Sequence, residues 1–125
     1  EYAVNLRIAP EYLRFRIAAD EFASLLSTGT LQSYTQCSDA VRFDYAIHTD
    51  PATTSADDCI LELSTTTVAT GLRFDLKVFS DGIARLQSGQ VGKDGLHEHQ
   101  VLASGDLLTI GLEIDLHSKK DAATP

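Results

Sequence analysis

The sequence predicts an α+β fold: a mainly antiparallel β-sheet, or a partly closed barrel, with two short helices. Three observations carry this expectation. Apolar residues recur at every second position through four long runs, one segment changes to spacings of three and four, and turn-forming residues separate the runs. A strand sends successive side chains to opposite faces. Each run therefore offers one apolar and one wet face, the habit of antiparallel sheets with a solvated side.

The elements follow in chain order. Residues 4–8 form a short strand. Leu13, Phe15 and Ile17 then alternate with Arg14 and Arg16. Over residues 19–28 the apolar positions are Phe22, Leu25 and Leu26, spaced for one helical face. Asp20 and Glu21 occupy its first turn, where the helix dipole favours acids, and Gly29 supplies a left-handed cap. Residues 30–35 are a weaker strand. Val41, Phe43, Tyr45 and Ile47 alternate with Arg42, Asp44 and His48. A loop over 49–58 leads to a strand over 59–65 with Cys59, Leu61 and Leu63 on one side. Leu72, Phe74, Leu76 and Val78 alternate with Arg73, Asp75 and Lys77. A second helix spans 81–87, with Ser80 as N-cap and Gly82 as a weak helix former inside it. After a loop over 89–95 come a short strand at 100–103, a turn at 104–106 and a last alternating strand over 108–116. No internal repeat and no interdomain linker is apparent. Residues 1–117 read as one α+β domain and 118–125 as a polar, fraying tail.

Composition narrows the partners. The chain has 125 residues, 43% of them hydrophobic, which suits one core. Ten Lys and Arg against eighteen Asp and Glu give a net charge of -8. That weighs against nucleic acid and anionic membranes, which reward positive charge, and favours basic partners or cationic ligands. No apolar run approaches the ~18 residues of a membrane span. With no signal peptide visible, a cytoplasmic location is expected. The start at Glu1 and the absence of Met read as a trimmed or processed product, which leaves a removed leader open.

Cys37 and Cys59 are expected to be free thiols. If the strands around Thr35, Phe43 and Leu61 form a meander, Cys37 lies level with Val41 and Cys59 level with His48. That is roughly 23 Å at ~3.3 Å per residue. A disulfide needs Cα atoms within ~7 Å.

Two constellations are candidate sites. His97 and His99 project from one face of an extended segment and share a metal if His48, Asp50 or Asp94 joins them. No other cofactor is indicated. Arg14 and Arg16 share a strand face, and Arg7, Arg42 and Arg73 hold similar polar positions. If these strands are neighbours, a cationic stripe forms that grips a carboxylate or phosphate. The competing structural role is cross-strand pairing with Asp44, Glu62 and Asp75. No nucleophile elbow, phosphate loop, zinc-helix motif or dinucleotide fingerprint is present. Asp57-Asp58 reads as a solvated turn.

The order of features resembles a family of small bacterial single-domain proteins of unknown function. It is carried by Leu13-Arg14-Phe15-Arg16-Ile17 leading into Asp20-Glu21-Phe22. It continues in Leu76-Lys77-Val78-Phe79 before the helix, Val91-Gly92, and the closing Leu108-Thr109-Ile110-Gly111-Leu112-Glu113. The chain departs from that pattern at Ala18, at Gly82 and in the long loop over 49–58. The resemblance implies the order of elements and a bacterial source, and no activity.

The function expected is a non-enzymatic binding or interaction module, using a sheet face or the groove between the first helix and the sheet. The alternatives are a metal- or anion-dependent enzyme at the His or Arg positions and a self-associating structural subunit, monomer or homodimer, pairing through an edge such as 108–116.

Overall fold

The computed structural model describes residues 4–89 and 95–115. Each alternating run is a strand, and the element order is the expected one. It runs β1 (Asn5–Ala9), β2 (Tyr12–Ala18), α1 (Ala19–Thr28), β3 (Thr30–Gln36) and β4 (Arg42–Asp50). It continues with β5 (Leu61–Val68), β6 (Gly71–Phe79), α2 (Ser80–Ser88), β7 (Leu96–Val101) and β8 (Leu107–Asp115). The strand expected at 100–103 begins earlier, at Leu96. The proposed tail and Leu116 lie outside the described residues.

The strands form two sheets, ordered β1-β2-β8-β7 and β3-β4-β6-β5, and neither closes into a barrel. Both are mixed. The hairpins β1–β2, β3–β4, β5–β6 and β7–β8 are antiparallel, but each sheet is joined at its centre by a parallel pair, β2 with β8 and β4 with β6. Alternation reports that a sheet has one wet face. It carries no information on strand direction.

β6 lies between β4 and β5, so the assumed meander does not occur. The thiols are nevertheless free. Cys37 N–H bonds Val41 O at 2.9 Å, at the entry to β4. Cys59 precedes Ile60, whose carbonyl takes the N–H of Phe79, the residue paired with Asp50. Their levels differ by roughly 30 Å at ~3.3 Å per residue.

Both sheets feed one core. Leu13, Phe15 and Ile17 of β2 and Ile110 and Leu112 of β8 join Tyr45 and Ile47 of β4 and Phe74, Leu76 and Val78 of β6 in a single cluster. Phe15, Ile47, Leu76 and Leu112 are fully buried. Leu25 of α1 and Leu86 of α2 complete it, and Phe22 and Ile83 pack against it.

The chain does contain a structural repeat. It consists of two β-β-α-β-β units, β1 to β4 and β5 to β8, and each sheet takes one hairpin from each unit. Ala18 pairs with Asp115 and Phe79 with Asp50. Both Ala18 and Phe79 are extended residues that open a helix, at φ -78, ψ 164 and φ -82, ψ 165. Counting back along the ladders matches Phe15 with Leu76, Leu13 with Phe74, Leu112 with Ile47 and Ile110 with Tyr45. Leu31 likewise matches Leu96. The repeat is hidden in the sequence because the visible likeness, Leu13-Arg14-Phe15 with Leu72-Arg73-Phe74, is displaced two positions from this register. The connections after the helices also differ, Gly29 alone against residues 89–95.

The helix ends are closed by groups that a cap motif does not reveal. At α1, Ala18 has no polar side chain, and the buried Glu21 reaches back to take the Ala18 N–H at 2.8 Å. That is half of a capping box. At α2, the first helical residue is Ser80 and no side chain caps the helix. The linker supplies the acceptors instead: Ser80 N–H bonds Ala52 O and Asp81 N–H bonds Thr53 O. Gly82 is required by proximity. A Cβ there would lie 3.2 Å from Leu96 Cδ1 and 3.3 Å from Ile60 O. Gly71, at φ +154, opens β6 so close to β4 that a Cβ would meet Arg42 O at 2.1 Å.

Candidate functional site

The outer faces of the two sheets hold the arginines, and the topology divides them. Arg14 and Arg16 lie on β2 in the first sheet, Arg42 and Arg73 on β4 and β6 in the second. The continuous stripe considered above does not form. Arg7 pairs in register with Arg14 on the first sheet.

Each of the four faces a carboxylate. Glu113 on β8 lies between Arg14 (Nη1 to Oε2, 3.7 Å) and Arg16 (Nε to Oε1, 3.4 Å), and Arg16 also reaches Asp115 at 3.2 Å. Glu113 is only 9% exposed beneath them. Arg42 pairs with Asp44 at 3.0 Å and covers the Tyr34 ring at 4.4 Å. Arg73 Nε donates to both Asp75 oxygens, at 3.1 and 3.0 Å. These are the cross-strand and same-strand neutralisations that sheet positions favour.

Asp75 also accepts from His48 Nε2 at 2.8 Å, and His48 Nδ1 lies 3.3 Å from Thr30 Oγ1. Burial pushes the Asp75 carboxyl up, but the bonds from Arg73 and His48 outweigh it and hold the group below its ordinary value. The bond to Asp75 in turn raises Arg73. Hydroxyl, imidazole and carboxylate in this order follow the arrangement of a nucleophilic relay. However, Asp75 is shared with Arg73, the Thr30 contact is long, and none of the described cavities is lined by these residues.

The histidines are divided as well. His48 is on the outer face of the second sheet, whereas His97 and His99 are on β7, an edge of the first. His99 Nδ1 bonds Thr109 Oγ1 at 3.1 Å. Among the described residues no three His, Cys, Asp or Glu groups come together in a way that holds a metal, so the set His48, His97 and His99 is not assembled. Asp94 lies outside the described residues.

A concavity opens elsewhere, between the edge strands β5 and β7 of the two different sheets. It measures about 730 Å³, and Ser55, Asp57, Cys59, Glu62, Glu98 and Gln100 contribute its polar wall. Leu61, Leu63 and Val101 contribute the apolar part. Its closing contacts run from β7 side chains to the backbone of Ile60, just before β5, and of Leu63 on the free edge of β5. Glu98 Oε2 accepts the Ile60 N–H at 2.6 Å, and Gln100 Oε1 accepts the Leu63 N–H at 3.4 Å. Burial, then the nearby Glu98, pushes the Cys59 thiol up, against a lowering bond from Ser55. It is therefore a poor nucleophile.

Sequence reasoning missed this cleft because its two walls are far apart in the chain and belong to different sheets. The one available signal was the alternation within His97-Glu98-His99-Gln100. The reading followed the histidines, of which His99 lines the cleft while bonded to Thr109, instead of Glu98 and Gln100, which bond the backbone of Ile60 and Leu63. Asp57, read as part of a solvated turn, lies on the cleft wall.

No helix among the described residues is long and apolar enough to cross a membrane. A scan against protein-family models, a search of curated proteins and a search of solved structures each found no match.

Proposed function

We propose that the protein is a non-enzymatic binding module that receives an extended, basic peptide segment in the cleft between β5 and β7. One observation carries this reading: side-chain oxygens of β7 occupy acceptor positions along the free edge of β5. A sheet edge presents unpaired N–H and C=O groups, and an added strand satisfies them through its own main chain. Glu98 and Gln100 stand where the carbonyls of such a strand would come. The Gln100 bond, at 3.4 Å, is at the long end for N–H···O and is easily displaced.

Charge selects the occupant. Asp57, Glu62 and Glu98 line the cleft, within a chain of net charge -8. Lys or Arg alternating with apolar residues places cations against these acids and apolar side chains against Leu61, Leu63 and Val101. The period of two of an extended segment matches such a wall.

The test is fluorescence anisotropy with two labelled hexapeptides, one alternating Lys and Val, the other Glu and Val. The Lys-Val probe is expected to saturate the protein, and the Glu-Val probe is expected not to bind. Glu62→Lys and Asp57→Lys should each weaken the Lys-Val probe by roughly 3- to 10-fold, equivalent to ~0.7–1.4 kcal/mol. Equal binding of both probes, or no saturable binding of the Lys-Val probe, overturns the reading.

A further inference from the structure

The two β-β-α-β-β units are complementary halves, and their seams differ in charge. The matched registers place Arg14 where the other seam has Asp75, and Glu113 where it has His48. In the first sheet the diagonal contact is Arg14 on β2 with Glu113 on β8. In the second it is Asp75 on β6 with His48 on β4. The carboxylate of the central pair lies on β8 in one seam and on β6 in the other. The terminal pair keeps its sign: Arg16 with Asp115 at 3.2 Å matches Lys77 with Asp50 at 3.7 Å.

This difference decides which halves fit together. Two copies of the N-terminal half, each pairing its β2 with the other's β4, would set Arg14 against His48. Two copies of the C-terminal half, pairing β6 with β8, would set Asp75 against Glu113 at a nearly buried position. In the first case Arg14 would lose its carboxylate; in the second, two carboxylates directed at one another across a ladder oppose pairing, and Glu113 would lose both of its arginines. Only unlike halves satisfy both seams. This is specificity by repulsion of the wrong partner as well as attraction of the right one.

We infer that a second copy of this chain can supply either half, giving a reciprocally exchanged dimer in which the N-terminal half of each chain pairs with the C-terminal half of the other. The hinge is the linker over 51–60. It crosses the end of β6, contributes Ile60 to the core, and bonds the C-terminal half through the helix-capping carbonyls of Ala52 and Thr53 and through the backbone of Ile60 to Glu98 and Phe79. Exchange of identical elements leaves every native contact outside the hinge intact, which is why it costs little. Both strands of the β5–β7 cleft belong to the C-terminal half, while its Ser55, Asp57 and Cys59 lie in the hinge; the inference rests on the seams and stands apart from the proposed ligand.

The test uses full-length chains with Cys37→Ser and Cys59→Ser. Tyr12→Cys is placed in one chain and Thr109→Cys in another, positions that pair across the β2/β8 seam. The two are unfolded together, refolded at high protein concentration and oxidised. A disulfide-linked dimer of the two chains is expected. In a parallel mixture, Tyr12→Cys with Asp44→Cys reports pairing of two N-terminal halves, because Asp44 matches Thr109. That mixture is expected to give no interchain link. A chain carrying Tyr12→Cys and Thr109→Cys together, at low concentration, should close on itself and shows that the pair reacts. Monomers alone in the first mixture, while the double variant cross-links, overturn the inference. So do equal yields in the two mixtures.

Discussion

At the centre of the first sheet Arg14 and Arg16 converge on Glu113, and at the matching place in the second sheet Arg73 and His48 converge on Asp75. Each arrangement gathers two nitrogen bases around one carboxylate on the wet side of a parallel pair. In the first sheet both bases are guanidinium groups, charged at every pH a protein survives. In the second, one is an imidazole. The space between differs little: the residue beside Arg14 is Gly111 and that beside Asp75 is Ala46, and both are small enough for long side chains to cross the ladder. The lesson is that a repeated scaffold fixes where a polar cluster sits while leaving which strand carries the carboxylate free to diverge.

The largest effect tests the scaffold. Phe15 and Leu76 are matched and fully buried. Phe15→Ala and Leu76→Ala should each cost about 3–5 kcal/mol in urea unfolding, the range for emptying a core site of that size. Closely similar losses support two equivalent sheets. A cost below ~1 kcal/mol for either would show that its sheet is not part of the shared core.

A medium effect separates the polar clusters. Asp75→Asn removes the acceptor of two charge-assisted bonds and should cost about 1–3 kcal/mol at neutral pH, as should Glu113→Gln. Asp75 is held below its ordinary value in the folded state. Its contribution is therefore fully present above the unfolded value of about 3.9 and is lost as pH falls through the folded one. Wild type and Asp75→Asn should thus converge in stability in strong acid and stay separated from about pH 5 upward. Curves that remain parallel down to the lowest pH at which the protein folds would remove the carboxylate from this role.

The smallest effect concerns the terminal pairs. Lys77 reaches Asp50 at 3.7 Å and Glu62 at 3.9 Å and is 44% exposed. Lys77→Gln should change stability by no more than ~0.5 kcal/mol, less than Arg16→Gln, whose guanidinium reaches the nearly buried Glu113. Differential scanning calorimetry in low and high salt reads both, and an ordering opposite to this one would break the match between the two ends.

Much of the local structure was legible. Leu13-Arg14-Phe15-Arg16-Ile17 cannot hide its apolar set on anything but a pleated strand, and Phe22 and Leu25 fit a helical face, although Leu26, expected beside them, is exposed. The pairing of arginines with acids was legible as a structural role. Other features were not. Gly82 counted against a helix until the approach of Leu96 and Ile60 explained it. Ser80 looked like a cap, yet Ala52 and Thr53 do that work from a linker that reads as irregular. Glu98 and Gln100 drew no attention because nothing in their neighbourhood names the β5 backbone they meet.

The sequence by itself determined the kinds of element, their order and which side of each strand faces water, because side-chain periodicity is a local property that hydrophobic burial reads directly. Only the tertiary structure decided the partners. Which hairpin lies beside which, the parallel seams that interleave two halves, the separation of His48 from His97 and His99, and the cleft between β5 and β7 all depend on contacts between residues far apart in the chain. Their selection rests on mutual packing and charge matching across ladders, and neither leaves a trace in the spacing of residues along a single strand.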